Sequence, residues 1–374
     1  MAGIYLHIPF CRKACHYCNF HFSTNLKRLD DLVLSIQKEI LARKGYFAGE
    51  RIETLYFGGG TPSLLSASHM QIILEALRQS FDLSDVSEFT VEINPEDVTS
   101  EKLELWKESK VNRLSIGVQS FFEDDLQFMN RNHNADQSIN AVRLAQDQGF
   151  DNITIDLIFG AQSCSDDMWK ENLNQLINLN INHASIYGLT IEENTALHHF
   201  INSGKANKLD EEKSTRQFKM TMDRLSQEDY EQYEISNYAK PGFRSKHNSS
   251  YWTGKKYLGL GPSAHSFDGV SRFWSVSNNQ KYINQANSKQ IEYQKEELSR
   301  IDSYNEWVMT GLRMIEGLDI SIVKVKYPEF LAAFNEEKEK HIYSGNIIQI
   351  DNRIRLTTEG KFISDGVIAD FFQL

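Results

Sequence analysis

The sequence is poor in cysteine and in positive charge, and it has no long apolar run. No stretch approaches the ~20 apolar residues that a membrane-spanning helix requires. The opening residues, MAGIYLHIPF, carry no basic region ahead of their apolar positions. They do not form a secretory signal, and the expected location is the cytoplasm. Lys and Arg number 40 against 51 Asp and Glu, a net charge of −11. Nonspecific nucleic-acid affinity comes from phosphate neutralisation by cations, so nucleic acid is not an expected partner. The chain holds only four cysteines. In such a protein a cysteine cluster points to a metal site rather than to a disulfide framework. What remains has the balance of a globular protein, 40% hydrophobic and 24% charged. Its 374 residues exceed one ordinary core and suit two domains.

Three of the four cysteines fall in CRKACHYCNF, residues 11–20, at positions 11, 15 and 18. The spacing is C-x3-C-x2-C, and Asn19 stands where a fourth cysteine would fall. Cys11, Cys15 and Cys18 therefore suit zinc or an iron–sulfur cluster. A structural zinc site needs four ligands, and His7, His16 and His21 are available as the fourth. A [4Fe-4S] cluster held by three cysteines keeps one iron open to a substrate or cofactor. The cysteines alone leave both readings standing.

Short apolar runs at 4–8, 53–57, 88–93, 113–118, 152–159 and 183–189 predict strands. Helical patterns lie between them at 29–47, 66–81, 98–110, 135–148 and 166–179. Strands alternating with helices imply a parallel α/β sheet, as a barrel or an open doubly wound sheet. The rhythm stops near residue 200. A helix near 210–227 precedes a Tyr-rich segment, 230–275, without clear periodicity. Helices near 302–315 and 328–341 follow. The hairpin NIIQIDNRIRLT, turning at Asp351-Asn352, and a final helix close the chain. That ending predicts a helical, winged-helix-like α+β module, expected to pack rather than to bind DNA. The expected division is a barrel over 1–205, a connecting region over 206–290 and a C-terminal domain over 291–374.

Polar residues and glycines recur at the strand ends. GGGTPS (58–63) follows the second strand. It is neither a P-loop nor G-x-G-x-x-G. Glu92 and Asn94 end the third strand, Gln119 the fourth, and Asp156 lies in the fifth. Tyr187 and Gly188 lie in the sixth. Each alone is more readily a core or cap residue. Together they mark the strand C-terminal face, where parallel α/β barrels build their sites.

The three-cysteine motif after the first strand and the GGTP-type turn after the second resemble the radical S-adenosylmethionine (radical SAM) superfamily. The resemblance implies a partial (β/α)6, TIM-like barrel and a [4Fe-4S] cluster. It also implies that the methionine end of SAM fills the open iron. YLHIPFC, CHYCNF, YFGGGTPS, EINPE, LSIGVQSF, IDLIFG and YEISNYA extend the likeness over nearly the whole chain. They look like the coproporphyrinogen-dehydrogenase branch, which holds anaerobic coproporphyrinogen III oxidases and HemW-type haem chaperones. By position, the resemblance assigns Tyr5, Tyr17, Gly59, Gly60, Thr61, Glu92, Gln119, Arg131, Asp156 and Gly188 to the SAM pocket. It names no catalytic residue.

Three features set the chain with the chaperones rather than the oxidases. Asn19 replaces the extra cysteine of the oxidases, the first cysteine comes as early as residue 11, and HNSSYW (247–252) matches the HNxxYW signature. The implied ligand is haem, with His247, Tyr251 and Trp252 as its contacts and Arg244, Lys246, Lys255 and Lys256 near its propionates. On residue type alone, His247 pinning a loop and Tyr251 and Trp252 as core aromatics is the commoner role. An acceptor haemoprotein, an electron donor and a peripheral membrane contact during delivery are the implied partners. One departure stands out. The branch usually reads DLIFGLPGQ, and here residues 156–164 read DLIFGAQSC, with Cys164 expected to be an ordinary small apolar residue.

Overall fold

The computed structural model describes residues 2–374. The first half alternates β1 (Ala2–Ile8), α1 (Leu29–Ala42), β2 (Ile52–Gly59), α2 (Ala67–Ser80), β3 (Glu88–Ile93), α3 (Ser100–Glu108) and β4 (Arg113–Gln119). It continues with α4 (Glu123–Phe128), α5 (Ala135–Asp147), β5 (Ile153–Phe159), α6 (Asp166–Asn178) and β6 (His183–Gly188). β1 to β6 lie side by side in chain order, all parallel. This is the expected partial barrel of six strands.

Each strand alternates along its length, and the alternation decides which face is the core. Ile4, Leu6, Ile8, Leu55, Phe57, Phe89, Val91, Leu114, Ile116, Ile155 and Leu157 are buried in one core. The intervening positions are polar or small: Tyr5, His7, Thr54, Tyr56, Gly58, Thr90, Glu92, Arg113, Ser115, Thr154 and Asp156. In register, Tyr5 stands beside Tyr56, Tyr56 beside Thr90 and Thr90 beside Arg113. Because side chains repeat every two residues, one face of the sheet packs under the helices and the other gives the barrel a polar interior.

The second half reinforces this sheet at both edges. α7 (Ala196–Asn202) and α8 (Glu211–Ser226) lead to β7 (Glu231–Glu234) and β8 (Asn237–Ala239). β8 pairs antiparallel with β6. Next come α9 (Lys246–Trp252), β9 (Tyr257–Leu260), β10 (His265–Phe267), β11 (Ser271–Ser275), α10 (Asn279–Asn287) and β12 (Tyr293–Glu297). β9 joins the opposite edge, parallel to β1. The result is a sheet of twelve strands among the described residues. Glu39 on α1 binds this added edge: it accepts from Gly261 N at 2.7 Å, from the Tyr293 hydroxyl at 2.7 Å and from the Tyr282 hydroxyl. Most of these extra strands have only three to five residues, too few for a period to show in the sequence.

A separate core begins at α11 (Arg300–Arg313). After it come β13 (Leu318–Asp319), α12 (Ile320–Lys326), α13 (Leu331–Tyr343), β14 (Ile347–Ile350), β15 (Arg353–Leu356), α14 (Thr358–Phe362) and α15 (Ser364–Asp370). The strands order as β13-β15-β14, the helices-then-hairpin plan of a winged helix. Asp351, at φ 51°, makes the expected tight turn. Tyr304, Val308, Phe334, Ile354 and Phe371 fill this core. It docks on the barrel through Ile315 N to Tyr233 O at 3.0 Å and through Arg244, which pairs with both Glu231 and Glu316.

Candidate functional site

The loop after β1 carries the three cysteines to the C-terminal ends of the strands, and its neighbours hold it from several sides. Cys11 N donates to Ser23 O at 3.1 Å, His16 N to Met129 O at 3.1 Å and Leu197 N to His16 O at 2.8 Å. Arg12 pairs with Asp97, just past β3, at 3.0 Å, and Asp97 also accepts from Ser63 Oγ at 2.7 Å. The glycines after β2 serve the same loop. A Cβ on Gly60 would stand 2.6 Å from Ile8 O, and one on Gly59, at φ 101°, would stand 2.3 Å from the His7 ring. Only glycine lets the end of β2 approach the start of the cysteine loop this closely.

A ring of hydrogen bonds joins the cysteines to the strand ends. Arg131 reaches Cys15 Sγ at 3.2 Å, Asn94 Oδ1 at 2.8 Å and Gly117 O at 2.8 Å. Asn94 Nδ2 in turn donates to Thr61 Oγ1 at 3.3 Å, and Thr61 faces the Cys11 thiol. Arg131 Nε is buried with no hydrogen-bond partner, while His133 Nδ1 and Glu96 Oε2 face each other at 3.4 Å. Asn94 is the hub of this ring. Its place at a strand end was the sequence signal for it, whereas nothing local in the sequence distinguished Arg12 and Asp97.

Glu92 is fixed at both oxygens, by the Tyr56 hydroxyl at 2.8 Å and by Gly59 N at 3.0 Å. Burial raises its pKa. Asp156, on β5, is pushed up to about 7 by burial and then by the charge of Glu92. Gln119, which is buried, sits at φ 68° where the β4–β5 register shifts. Tyr5 stands with its hydroxyl 3.1 Å from His7 Nδ1. Tyr17, in the cysteine loop, lies among Arg131, Cys15, Cys18 and Asp156. Gly188 is packed close to the Phe159 ring, 3.2 Å from where a Cβ would be. Glu92, Arg131, Asp156, Tyr17 and Gly188 all keep partial exposure, and Tyr187 is 43% exposed. Those exposures trace a water-accessible cleft between the strand ends.

The thiols fit a cluster better than a single ion. Three sulfurs on one zinc stand about 3.8 Å apart, given 2.3 Å bonds in a tetrahedron. Among the described residues no ligand set that includes these cysteines lies within 4.8 Å. The histidines available as a fourth zinc ligand are engaged elsewhere. His7 meets Tyr5 and His21 O, His16 meets Phe128 O at 2.8 Å, and His21 meets Asn279 at 2.7 Å. Burial raises the pKa of Cys11, and that of Cys18 to about 11. A bound metal would have to hold both as thiolates. Cys164 is buried, far up in pKa from burial. The departing AQSC loop around it is pinned by Ser163 to Asp125 at 2.6 Å and by Lys213 to Ala161 O at 2.7 Å.

HNSSYW lies elsewhere. It forms α9, whose His247 is buried at the N-terminal end of the barrel interior. His247 Nδ1 lies 2.7 Å from Thr54 Oγ1, and Nε2 lies 2.8 Å from the Tyr251 hydroxyl. Burial lowers its pKa to about 3. Both ring nitrogens are occupied, so an axial bond to iron would require breaking one of these contacts. Trp252 lies under Arg313 of the C-terminal domain, 5.3 Å from ring centroid to guanidinium. The cations expected near propionates are engaged too: Arg244 with Glu231 and Glu316, Lys255 with Glu53, Lys256 with Glu50, and Lys246 with Ser87 at 3.0 Å. This placement supports the pinning role of the motif over direct haem contact. A hollow of about 590 Å³ between α2 and α3, lined by Leu55, Leu74, Phe89 and Val111, contains none of the site residues.

The Radical SAM superfamily model matches residues 5–194. A Bacillus subtilis protein named heme chaperone HemW is 30% identical, over 99% of both chains. The Lactococcus lactis protein of the same name is 31% identical, over 98% of this chain and 96% of its own. Among solved structures, the coproporphyrinogen III oxidase HemN from Escherichia coli superposes with a TM-score of 0.86 at 21% identity. It covers 100% of this chain and 90% of its own, a likeness of fold. The cysteine loop, the strand-end ring and these matches place the chain in the radical SAM superfamily, within its HemW-type haem chaperone family.

Proposed function

We propose that the protein binds haem and passes it to an acceptor haemoprotein, and that it carries a [4Fe-4S] cluster and SAM at the C-terminal end of the barrel. The observation that carries the cofactor part is the convergence of Cys11, Cys15 and Cys18 with Arg131, Asn94, Thr61 and Glu92 on one cleft. Cys11, Cys15 and Cys18 would hold the cluster. Bound there, cluster and SAM would supply an electron-transfer centre and, on reduction, a source of the 5′-deoxyadenosyl radical.

The chain's own contribution is binding and orientation. Glu92, already oriented by two donors, offers its carboxylate to ribose hydroxyls. Arg131 places a guanidinium against Cys15 and the strand ends, where it balances thiolate charge and can pair with a carboxylate. Tyr5, Tyr17, Gly59, Gly60, Thr61, Gln119, Asp156 and Gly188 complete the pocket. Tyr17 shields the cleft from the side of the cysteine loop. Haem binding rests on the relatives' names and on family resemblance. The geometry of α9 favours a haem surface other than the His247 ring.

The test is anaerobic reconstitution followed by four assays on one sample. Iron and sulfide should both approach four per chain, SAM should bind, and haem should add a Soret band distinct from cluster absorption. Coproporphyrinogen given with SAM and reductant should remain unconverted. Its conversion to protoporphyrinogen, with 5′-deoxyadenosine formed in step, would replace this function with that of the oxidase.

A further inference from the structure

The motif HNSSYW is remote from the cysteine loop, yet a short path of contacts joins it to Glu92. The His247 ring stacks on the Tyr56 ring, with centroids 4.9 Å apart and planes 25° apart. Tyr56 donates its hydroxyl to Glu92 Oε1 at 2.8 Å. His247 is itself held on every side. Its backbone N donates to Glu88 Oε1 at 2.8 Å, its Nδ1 meets Thr54, and its Nε2 meets Tyr251. Gly3 makes room for it, since a Cβ there would stand 3.1 Å from the imidazole.

We infer that His247 is a positioning residue for the SAM pocket: it holds the Tyr56 ring so that the Tyr56 hydroxyl fixes the Glu92 carboxylate. The inference rests on the reading of Glu92 as a SAM ligand. The reasoning is geometric. A phenol hydroxyl sits at the far end of a rigid ring, so a small tilt of that ring moves the donor off its acceptor. A hydrogen bond weakens steeply as it loses alignment. Thr54 and Tyr251 fix the imidazole plane, and the imidazole plane fixes the phenol. With Tyr56 misplaced, Glu92 keeps only its bond to Gly59 N and swings within the cleft. The same helix ends on Trp252 under Arg313, so the C-terminal domain anchors the far end of the device.

The test measures SAM affinity of the reconstituted, iron-loaded protein in four single variants and one double variant, with iron content read alongside. Glu92→Ala checks the underlying reading. Tyr56→Phe removes the hydroxyl and should weaken SAM about fivefold to tenfold, the loss expected for one hydrogen bond of typical net strength. His247→Ala should weaken SAM to a similar degree at unchanged iron content. His247→Phe keeps a flat ring against Tyr56 but loses the bonds to Thr54 and Tyr251 that orient it, so its loss should be smaller than that of His247→Ala. In a Tyr56→Phe background, His247→Ala should cost nothing more, because no hydroxyl remains to be aimed. A purely structural role would move melting temperature in every His247 variant and leave SAM affinity alone, and that result overturns the inference. Additive losses in the double variant overturn it too. If the alanine variant does not load iron, His247→Leu fills the volume without a flat face and carries the same expectation. If Glu92→Ala leaves SAM binding unchanged, the pocket reading fails and this inference with it. If Glu92→Ala weakens SAM while Tyr56→Phe and His247→Ala do not, this inference alone fails.

Discussion

The two ends of the barrel are built from similar residues and put to opposite uses. Both gather tyrosines, histidines, an arginine and carboxylates around the inward face of the same strands, from the strands themselves and from neighbouring loops and helices. At the N-terminal end the histidines and Glu88 are paired, although Arg113 Nε and Thr90 Oγ1 are not. His247 lies between Thr54 and Tyr251, His183 between Thr154 and Tyr233, and Glu88 caps α9. At the C-terminal end the thiols have few partners, Arg131 Nε has none, and Glu92, Asp156 and Tyr187 remain reachable by water. A buried polar group without a partner costs stability. A paired and buried histidine network closes one end, and the end whose thiols and carboxylates keep contact with water is the one poised to take up ligands.

The largest expected effect is at the open end. Replacing Cys11, Cys15 or Cys18 by Ala should abolish the visible cluster absorption and the bound iron. Cys164→Ala should leave both unchanged, because that thiol is buried in the AQSC loop. Iron analysis of the four variants decides this, and loss of iron in Cys164→Ala would contradict the assignment. Next in size is Glu92→Ala. It should weaken SAM about tenfold to a hundredfold, some 1.4–3 kcal/mol, while iron content holds. Titration of the reconstituted protein measures it.

A smaller effect separates the two ends by pH. His247 is held at about 3 by burial. Below its ordinary pKa of about 6.5 the unfolded chain takes up a proton that the folded chain refuses. Its contribution to stability therefore falls as pH drops from there towards 3. Asp156 runs the other way. It is pushed up to about 7 by burial and by Glu92. Between about 3.9 and that value the folded chain holds a proton that the unfolded chain has lost, so its contribution falls as pH rises. Asp156→Asn should thus raise the melting temperature of the metal-free protein at pH 8 by about 1–2 °C, the shift made by ~1 kcal/mol in a chain of 374 residues. At pH 4 it should change little. His247→Phe should instead lessen the loss of stability between pH 6.5 and 5. Equal shifts at both pH values in either variant would erase the contrast between the ends.

The sequence made the six parallel strands legible because each alternates with a helix, and α2, α3, α5 and α6 open on a Ser, Thr or Asn cap. It made the cysteine loop legible through spacing. Glu92, Asn94, Gln119 and Asp156 were visible as polar residues at strand ends, but not the bonds among them, since Arg131 reaches Asn94 and Cys15 from distant parts of the chain. The edge strands β7 to β12 were hidden by their shortness. HNSSYW was legible as a motif, but its depth was not. A histidine, a tyrosine and a tryptophan beside several lysines read equally well as a ligand surface. Only the fold shows that His247 turns inward onto Thr54 and that the nearby cations are already engaged. The glycines at the end of β2 were legible as close-approach residues, but what they approach is the end of β1 and Phe10, just ahead of Cys11.

The most direct measurement of the contrast between the ends is haem titration of the reconstituted His247→Phe variant beside the parent. If α9 is a closed support, the Soret band keeps its position and haem affinity changes by no more than about twofold. Loss or displacement of that band in an otherwise folded, iron-loaded variant would make His247 the iron ligand and contradict the account.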